Sequence, residues 1–511
     1  MSEPRRSPES RVIEIDGHGL TLVDMERVAD GAHVRLAADA TARMRASRAV
    51  VEDAVASGRP IYGVSTGFGR LADTAIPPDR LAALQVNLLR SHAAGVGEPL
   101  PERVTRAIAL LRANTLAGGR CGTRPVVCER LLEHLNAGIR PRIPGQGSVG
   151  ASGDLAPLAH LGLTLIGEGE AWWDGAWAPA AEVLAAAGIE PLELAPKEGI
   201  ALINGTQVMT AIGGLGLLGA ERLIESAEVA GAMSLEAMRG TRAALAAQIH
   251  ESRPHPGQRA SAERLRALLG ETSAISESHA GCGKVQDAYS LRCMPQVHGA
   301  VRDALGHVRR VLEIEVNAAT DNPLVFAEAE SGARIVSGGN FHGAPVAQAL
   351  DLLAIAIADL ASISERRTQA LMDPAFSELP PFLAPDPGLQ SGFMMLQVTA
   401  AALVSECKGL AHPASVDSIP TSGNKEDHVS MGVWAARKAA DSLANAERVV
   451  AIELLAAAQG IDFLRPLESS APLEAAHRAI RARVPRLVED RPGSPDVEAV
   501  AGLVREGALA E

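Results

Sequence analysis

The stretch ALDLLAIAIADLASISERR, Ala349 to Arg367, decides the fold. Its apolar residues spread round most of a 3.6-residue turn until Ser364-Glu365-Arg366-Arg367 closes the run. A helix apolar on nearly every face has to be covered on nearly every face, inside a bundle or between subunits. The stretch lies within Ala344 to Leu371, and similar Ala/Leu-rich segments lie on both sides: Gln207 to Met238, Pro295 to Val316, Phe393 to Leu410 and Val429 to Ala458. Before Asn204 the character differs. Gly and Pro punctuate short apolar runs there, and helical patterns are confined to places such as Pro78 to Leu89 and Glu102 to Ala117. No fixed-period repeat, low-complexity tract or βαβ alternation is visible. The expected fold is mainly α, with a loop-rich N-terminal domain over 1–205 and a helical bundle domain over 206–511.

The 511 residues exceed what one hydrophobic core usually holds, which agrees with two units. A formal charge of -13 argues against nucleic acid and anionic membranes as partners, since both need a basic surface. The five cysteines, Cys121, Cys128, Cys282, Cys293 and Cys407, form no C-x-x-C and suit a reducing compartment. The first residues lack the apolar core of a signal peptide, and the longest apolar runs, such as Leu352 to Ala358, fall short of a membrane span. A cytoplasmic location is expected. Tyrosine occurs only at Tyr62 and Tyr289, each among glycine or polar residues, where a phenol serves chemistry better than packing.

Two familiar readings suggest themselves and both fail. Gly145-Gln146-Gly147-Ser148-Val149-Gly150 matches G-x-G-x-x-G, but the preceding Arg140-Pro141-Arg142-Ile143-Pro144 is a poor strand because two prolines interrupt any ladder. Ser152 is no hydrolase nucleophile of the G-x-S-x-G kind, because Asp154 stands where that turn requires glycine. What remains is a small-residue turn, Gly150-Ala151-Ser152-Gly153-Asp154-Leu155, leading into an apolar helix, where Ser152 or Asp154 could simply be the cap. Arg292 follows Tyr289 by three residues, so guanidinium and phenol can share a helical face, and the guanidinium suits a carboxylate. Glu426-Asp427-His428 could open the helix that follows, and His92 could be a hydrogen-bonded core residue. His250 with His255, and His279 with Cys282, fit no ligand spacing, so no metal is expected.

Taken in order, the blocks resemble the histidine and phenylalanine ammonia-lyase family, most closely its histidine-acting members. They are Tyr62 to Gly69, Ser91-His92-Ala93-Ala94-Gly95, Gly147 to His160, Leu202-Ile203-Asn204-Gly205-Thr206-Gln207, Gln286 to Cys293, Ala319 to Leu324, Ser337 to His342 and Glu426 to Met431. The resemblance covers about Tyr62 to Leu467. It implies that Ala151, Ser152 and Gly153 cyclise unaided into methylidene-imidazolone, with no external cofactor. Glycine at 153 leaves the attacking backbone nitrogen unhindered, and Ser152 loses its hydroxyl to become a methylene.

The same likeness implies roles for the remaining residues. Tyr289 takes the β-proton, for which a phenol needs its pKa lowered by nearby positive charge. Arg292 holds the substrate carboxylate, and Tyr62 and Asn204 position the amino group and the electrophile's carbonyl. Phe341 and Gln286 line the pocket. His92 and Glu426 match positions that contact imidazole, so the implied reaction is L-histidine to urocanate and ammonia in a homotetramer with shared sites. Ser65 and Lys425 depart from the usual residues without removing a catalytic group; Lys425 could pair with Glu426. The alternatives are a tyrosine or phenylalanine lyase, an aminomutase on the same scaffold, and a non-catalytic helical scaffold.

Overall fold

A computed structural model describes residues 12–58, 61, 63–67, 74, 76–283, 285–329 and 334–509. Tertiary contacts divide the chain into two units, each assembled from separated segments. The first takes Met1–Leu215, Arg310–Leu350 and Pro413–Arg437, and the second takes Gly216–Arg309, Asp351–His412 and Lys438–Glu511. The loop-rich region expected over 1–205 thus lies in the first unit, together with two later segments brought back to it.

In the first unit, Glu102–Ala117 is the central helix. Pro101 precedes it, where a missing N–H costs nothing, and Gly118 ends it. It is buried almost continuously from Thr105 onward, including Arg112 and Asn114. Both reach main-chain carbonyls from inside: Arg112 Nη1 donates to Asn204 O at 2.8 Å, and Asn114 Nδ2 to Val316 O at 2.9 Å. Ile13–Ile15 and Val34–Leu36 pair in parallel across the helix Leu22–Ala29, so one small βαβ unit exists after all. Its strands are three residues each, too short for a period-two pattern to register. The proline-bearing run before Gly147 also contains strand. Arg140–Pro141 pairs with Glu170–Trp173, and Pro144–Gln146 with Val96–Pro99, both antiparallel. The prolines sit at strand ends, where the ladder needs no donor.

The second unit is helical throughout, built on the greater parts of Gln207–Ala237, Met294–Glu315, Ala344–Met372 and Gly432–Phe463. Its interior holds fully buried charges in closed sets. Glu453 accepts from Arg367 Nε at 2.5 Å and Nη2 at 2.8 Å, from Ser234 Oγ at 2.7 Å and from Ser364 Oγ at 2.6 Å. Every carboxylate lone pair facing the core is used, which is the condition for keeping a charge there. Ala344–Met372 is long and apolar enough to cross a membrane by length and composition, contrary to the expectation that no segment reaches that length. From Ala344 to Ser364 only two charged residues interrupt it, Asp351 and Asp359, before Glu365-Arg366-Arg367. Asp351 is neutralised by buried Lys438 at 2.8 Å, and 61% of the most apolar window is buried in the protein.

Candidate active site

The turn carrying Ala151-Ser152-Gly153 is held by backbone and side chains of the first unit. Gly150 O accepts from Ser430 Oγ at 2.8 Å and from Gly343 N at 3.3 Å, and Met431 N donates to Val149 O at 2.8 Å. Gly153 has φ +71°, and a Cβ there would lie 2.2 Å from Gly205 O. Only glycine fits. Asp154 N closes the contact by donating to that same carbonyl at 2.7 Å. Ala151 is buried and Ser152 half-buried, with its Oγ donating to Glu426 Oε1 at 2.7 Å.

Asp154 stands at the cap position of helix Leu155–Leu165 but does not cap it. Its Oδ2 instead accepts from Val208 N and Met209 N, each at 2.9 Å, in the first turn of Gln207–Ala237, and its Oδ1 accepts from Ser148 Oγ at 3.0 Å. The electrophile turn is thereby tied to a second helix, whose positive end favours the carboxylate. Complete burial still wins and pushes the carboxyl up to about 7, against the Met209, Ser148 and Val208 donors. A raised carboxyl contributes stability that is complete below its unfolded value of 3.8 and is lost as the pH climbs through about 7. Asp154→Asn removes that dependence. Thermal unfolding of parent and variant is expected to favour the parent more at about pH 5 than at about pH 8; a difference independent of pH refutes it.

Ser152 opens on a cavity of about 630 Å³ lined, among the described residues, by the first unit. Leu84, Leu88, Ile200 and Phe341 supply apolar wall, and His92, Asn204, Asn322 and Glu426 supply polar groups. His92 ends the helix Leu81–His92, and its Nδ1 lies 2.9 Å from Leu88 O. A carbonyl only accepts, so Nδ1 carries the proton and Nε2 is the ring's acceptor. Burial holds the His92 pKa below its usual value, against the Leu88 carbonyl and the Glu426 charge, so the ring is neutral at pH 7. Glu426 closes a short loop in which Ser422, Gly423 and Asn424 all have positive φ. Thr421 N donates to Glu426 O at 2.9 Å, and Thr421 Oγ1 donates to Glu426 Oε2 at 2.8 Å. Backbone strain of this kind persists only where the surroundings impose it. With both oxygens taken by hydroxyls, no ion pair joins Lys425 to Glu426 among the described residues. Glu426-Asp427-His428 stays outside the next helix, which starts at Gly432.

His92, Ser152, Asn204, Phe341 and Glu426 therefore meet at one cavity. Gln286, Tyr289 and Arg292 belong to the second unit, and Tyr62 lies outside the described residues. Tyr289–Arg292 is a single helical turn, with the Arg292 guanidinium 5.8 Å from the Tyr289 ring centre and bonded to Gln286 Oε1. Tyr289 is 71% exposed on this chain. Sequence reasoning assigned no part to Thr421, Asn322 or the buried pair Lys197–Asp321. Asp321 and Asn322 fall within a quoted block, but nothing in their spacing announces a partner 124 residues away.

The residue pattern of the aromatic amino acid lyase family matches residues 20–482. The chain is 55% identical to a histidine ammonia-lyase of Koribacter versatilis, over 98% of this chain and 99% of that one. Among solved structures, histidine ammonia-lyase from Trypanosoma cruzi superposes with a TM-score of 0.91 at 46% identity, covering 98% of this chain and 94% of that one. Tyrosine aminomutase from Streptomyces globisporus superposes with a TM-score of 0.92 at 42% identity, covering 98% of each.

Proposed function

The chain belongs to the aromatic amino acid lyase family, and on that premise we propose that it eliminates ammonia from L-histidine to give urocanate. One observation carries the choice of substrate: the polar end of the cavity presents two acceptors, the Glu426 carboxylate and the neutral His92 Nε2, with the Glu426 charge felt at His92. A neutral imidazole ring brings one N–H donor to such a pair and a protonated ring brings two, and a charge-assisted bond to the carboxylate is worth about 1.5–3 kcal/mol. A phenyl ring offers no donor, so Glu426 Oε1 is left without a partner once the Ser152 hydroxyl is gone, while Thr421 still serves Oε2.

Ala151, Ser152 and Gly153 fit the methylidene-imidazolone that the family implies, since position 153 has no room for a Cβ and Ser152 faces the cavity. That group supplies an electrophile no encoded side chain matches. The remaining work falls to ordinary residues. Glu426 and His92 hold the ring, and Arg292 takes the carboxylate bidentately, which fixes the Cα–Cβ bond relative to the base. Tyr289 receives the β-proton on its phenol oxygen, with the Arg292 guanidinium standing over its ring. Tyr289 stands 71% exposed on one chain, where water would compete with a substrate, and this supports a homotetramer whose sites draw on more than one subunit. The helix Met394–Leu410 supports it too, with Met395 and Val398 exposed on an apolar surface. Five unpaired cysteines suit the cytoplasm.

The test is a panel of L-histidine, L-tyrosine and L-phenylalanine, following the ultraviolet absorbance of the unsaturated acid. Histidine alone is expected to react, and Glu426→Gln is expected to lower its kcat/KM by about 10- to 100-fold. Turnover of tyrosine alone, or an unaffected Gln variant, overturns the assignment.

A further inference from the structure

Behind the cavity lies an ion pair with no access to solvent. Lys197 Nζ donates to Asp321 Oδ2 at 2.7 Å, and both side chains are fully buried. The other oxygen, Asp321 Oδ1, accepts from Asn322 N at 2.7 Å and faces Asn204 Nδ2 at 3.5 Å. Asn204 Nδ2 also donates to Asn322 O at 3.3 Å. The main chain of Asn204 is fixed independently: its carbonyl accepts from buried Arg112, and its N–H donates to Ile200 O at 2.9 Å. One atom of the residue is left over. Asn204 Oδ1 is buried and has no hydrogen-bond partner.

An amide's oxygen and nitrogen are interchangeable in shape, so its orientation has to come from its neighbours. Here a carboxylate oxygen and a carbonyl stand on the same side. Turning the amide over would set Oδ1 against both, which like-polarity repulsion in a low dielectric forbids. Lys197 prevents Asp321 from relieving this by rotating, because Oδ2 is committed to the ammonium. A neutral amide at 321 would be kept in place only by the Asn322 N–H and would offer Asn204 a weaker acceptor than a carboxylate does, loosening the hold on Asn204 without abolishing it.

We propose that the buried Lys197–Asp321 pair is a positioning device that fixes the amide of Asn204, making Asn204 Oδ1 the acceptor for an N–H of the substrate's amino group, the group that leaves as ammonia. This rests on the reading of the cavity as an amino-acid site. It also divides the two partners the family likeness implied for Asn204 and Tyr62: an acceptor suits the amino group and cannot serve a carbonyl oxygen.

Removing one charge alone would strand the other, so the test removes both. Lys197→Met/Asp321→Leu takes away the orienting oxygen, and Lys197→Met/Asp321→Asn keeps an uncharged oxygen held only by the Asn322 N–H. Each is assayed for kcat/KM with L-histidine, for inhibition by 3-(imidazol-4-yl)propionate, which lacks the amino group, and for loss of two waters by intact mass. The Leu variant is expected to lose about 10- to 100-fold in kcat/KM and the Asn variant about 3- to 10-fold, with inhibition constants within about threefold of the parent and both waters gone. Loss of general shape would instead weaken the inhibitor in step, and that result overturns the proposal. So does an Asn variant at the parent's kcat/KM, or retention of either water. If the Leu protein fails to fold, the Asn protein decides alone. A parent inactive on every aromatic amino acid defeats the assigned reaction, and with it this assignment, whatever the variants do.

Discussion

Ser152→Ala is expected to lower kcat for L-histidine by at least about a thousandfold while leaving the fold intact. The hydroxyl makes one hydrogen bond, to Glu426 Oε1, and the turn around it is held by Ser430, Gly343, Gly205 and Asp154, none of which depends on it. Thermal unfolding should therefore shift little. Binding should survive as well, because His92, Glu426 and Arg292 are untouched, so a Kd for L-histidine near the parent's KM is expected by calorimetry. The intact mass separates this from a trivial loss: the parent's peptide over 151–153 should be two waters lighter than its sequence, and the variant's should not. A Ser152→Ala protein that turns over histidine ends the mechanism.

Tyr289→Phe is expected to reduce kcat by about 10²- to 10⁴-fold, the range for a positioned proton acceptor, with KM within about threefold. The phenol oxygen is the only atom removed. The ring, which lies under the Arg292 guanidinium, remains, so the carboxylate clamp keeps its support. A rise in KM with kcat preserved would make Tyr289 a binding residue and remove the base from its place. Arg367 Nη1 donates to Ser290 O at 3.4 Å beneath this turn, so its backbone is anchored to the buried Glu453 set rather than to the phenol.

The long helices were legible because their signal is long. Glu102–Ala117 was readable to the residue, with Pro before and Gly after, and the apolar runs around Ala349 to Arg367 resolved into Ala344–Met372. Three-residue strands such as Ile13–Ile15 carry no pattern of their own and exist because a partner happens to lie alongside. The site divides in the same way. His92, Ser152, Asn204, Phe341 and Glu426 were named from local blocks and lie at one cavity. Lys197 was invisible: a lone lysine in Ala195-Pro196-Lys197-Glu198 reads as solvated surface, and only the fold sets it against Asp321. Thr421 was missed for a related reason, since its partner is five residues on, across a loop whose positive φ values no composition announces.

The bond from Ser152 to Glu426 has an effect on newly made protein. Until the serine has given up its oxygen, that oxygen sits on the acceptor an imidazole would need. On the proposed reading, a copy that has folded but not yet matured is expected to bind histidine more weakly as well as to be inert toward it, and so to sequester less substrate from finished neighbours. The alanine variant lacks this block, so it should bind more tightly than an immature parent, although neither reacts.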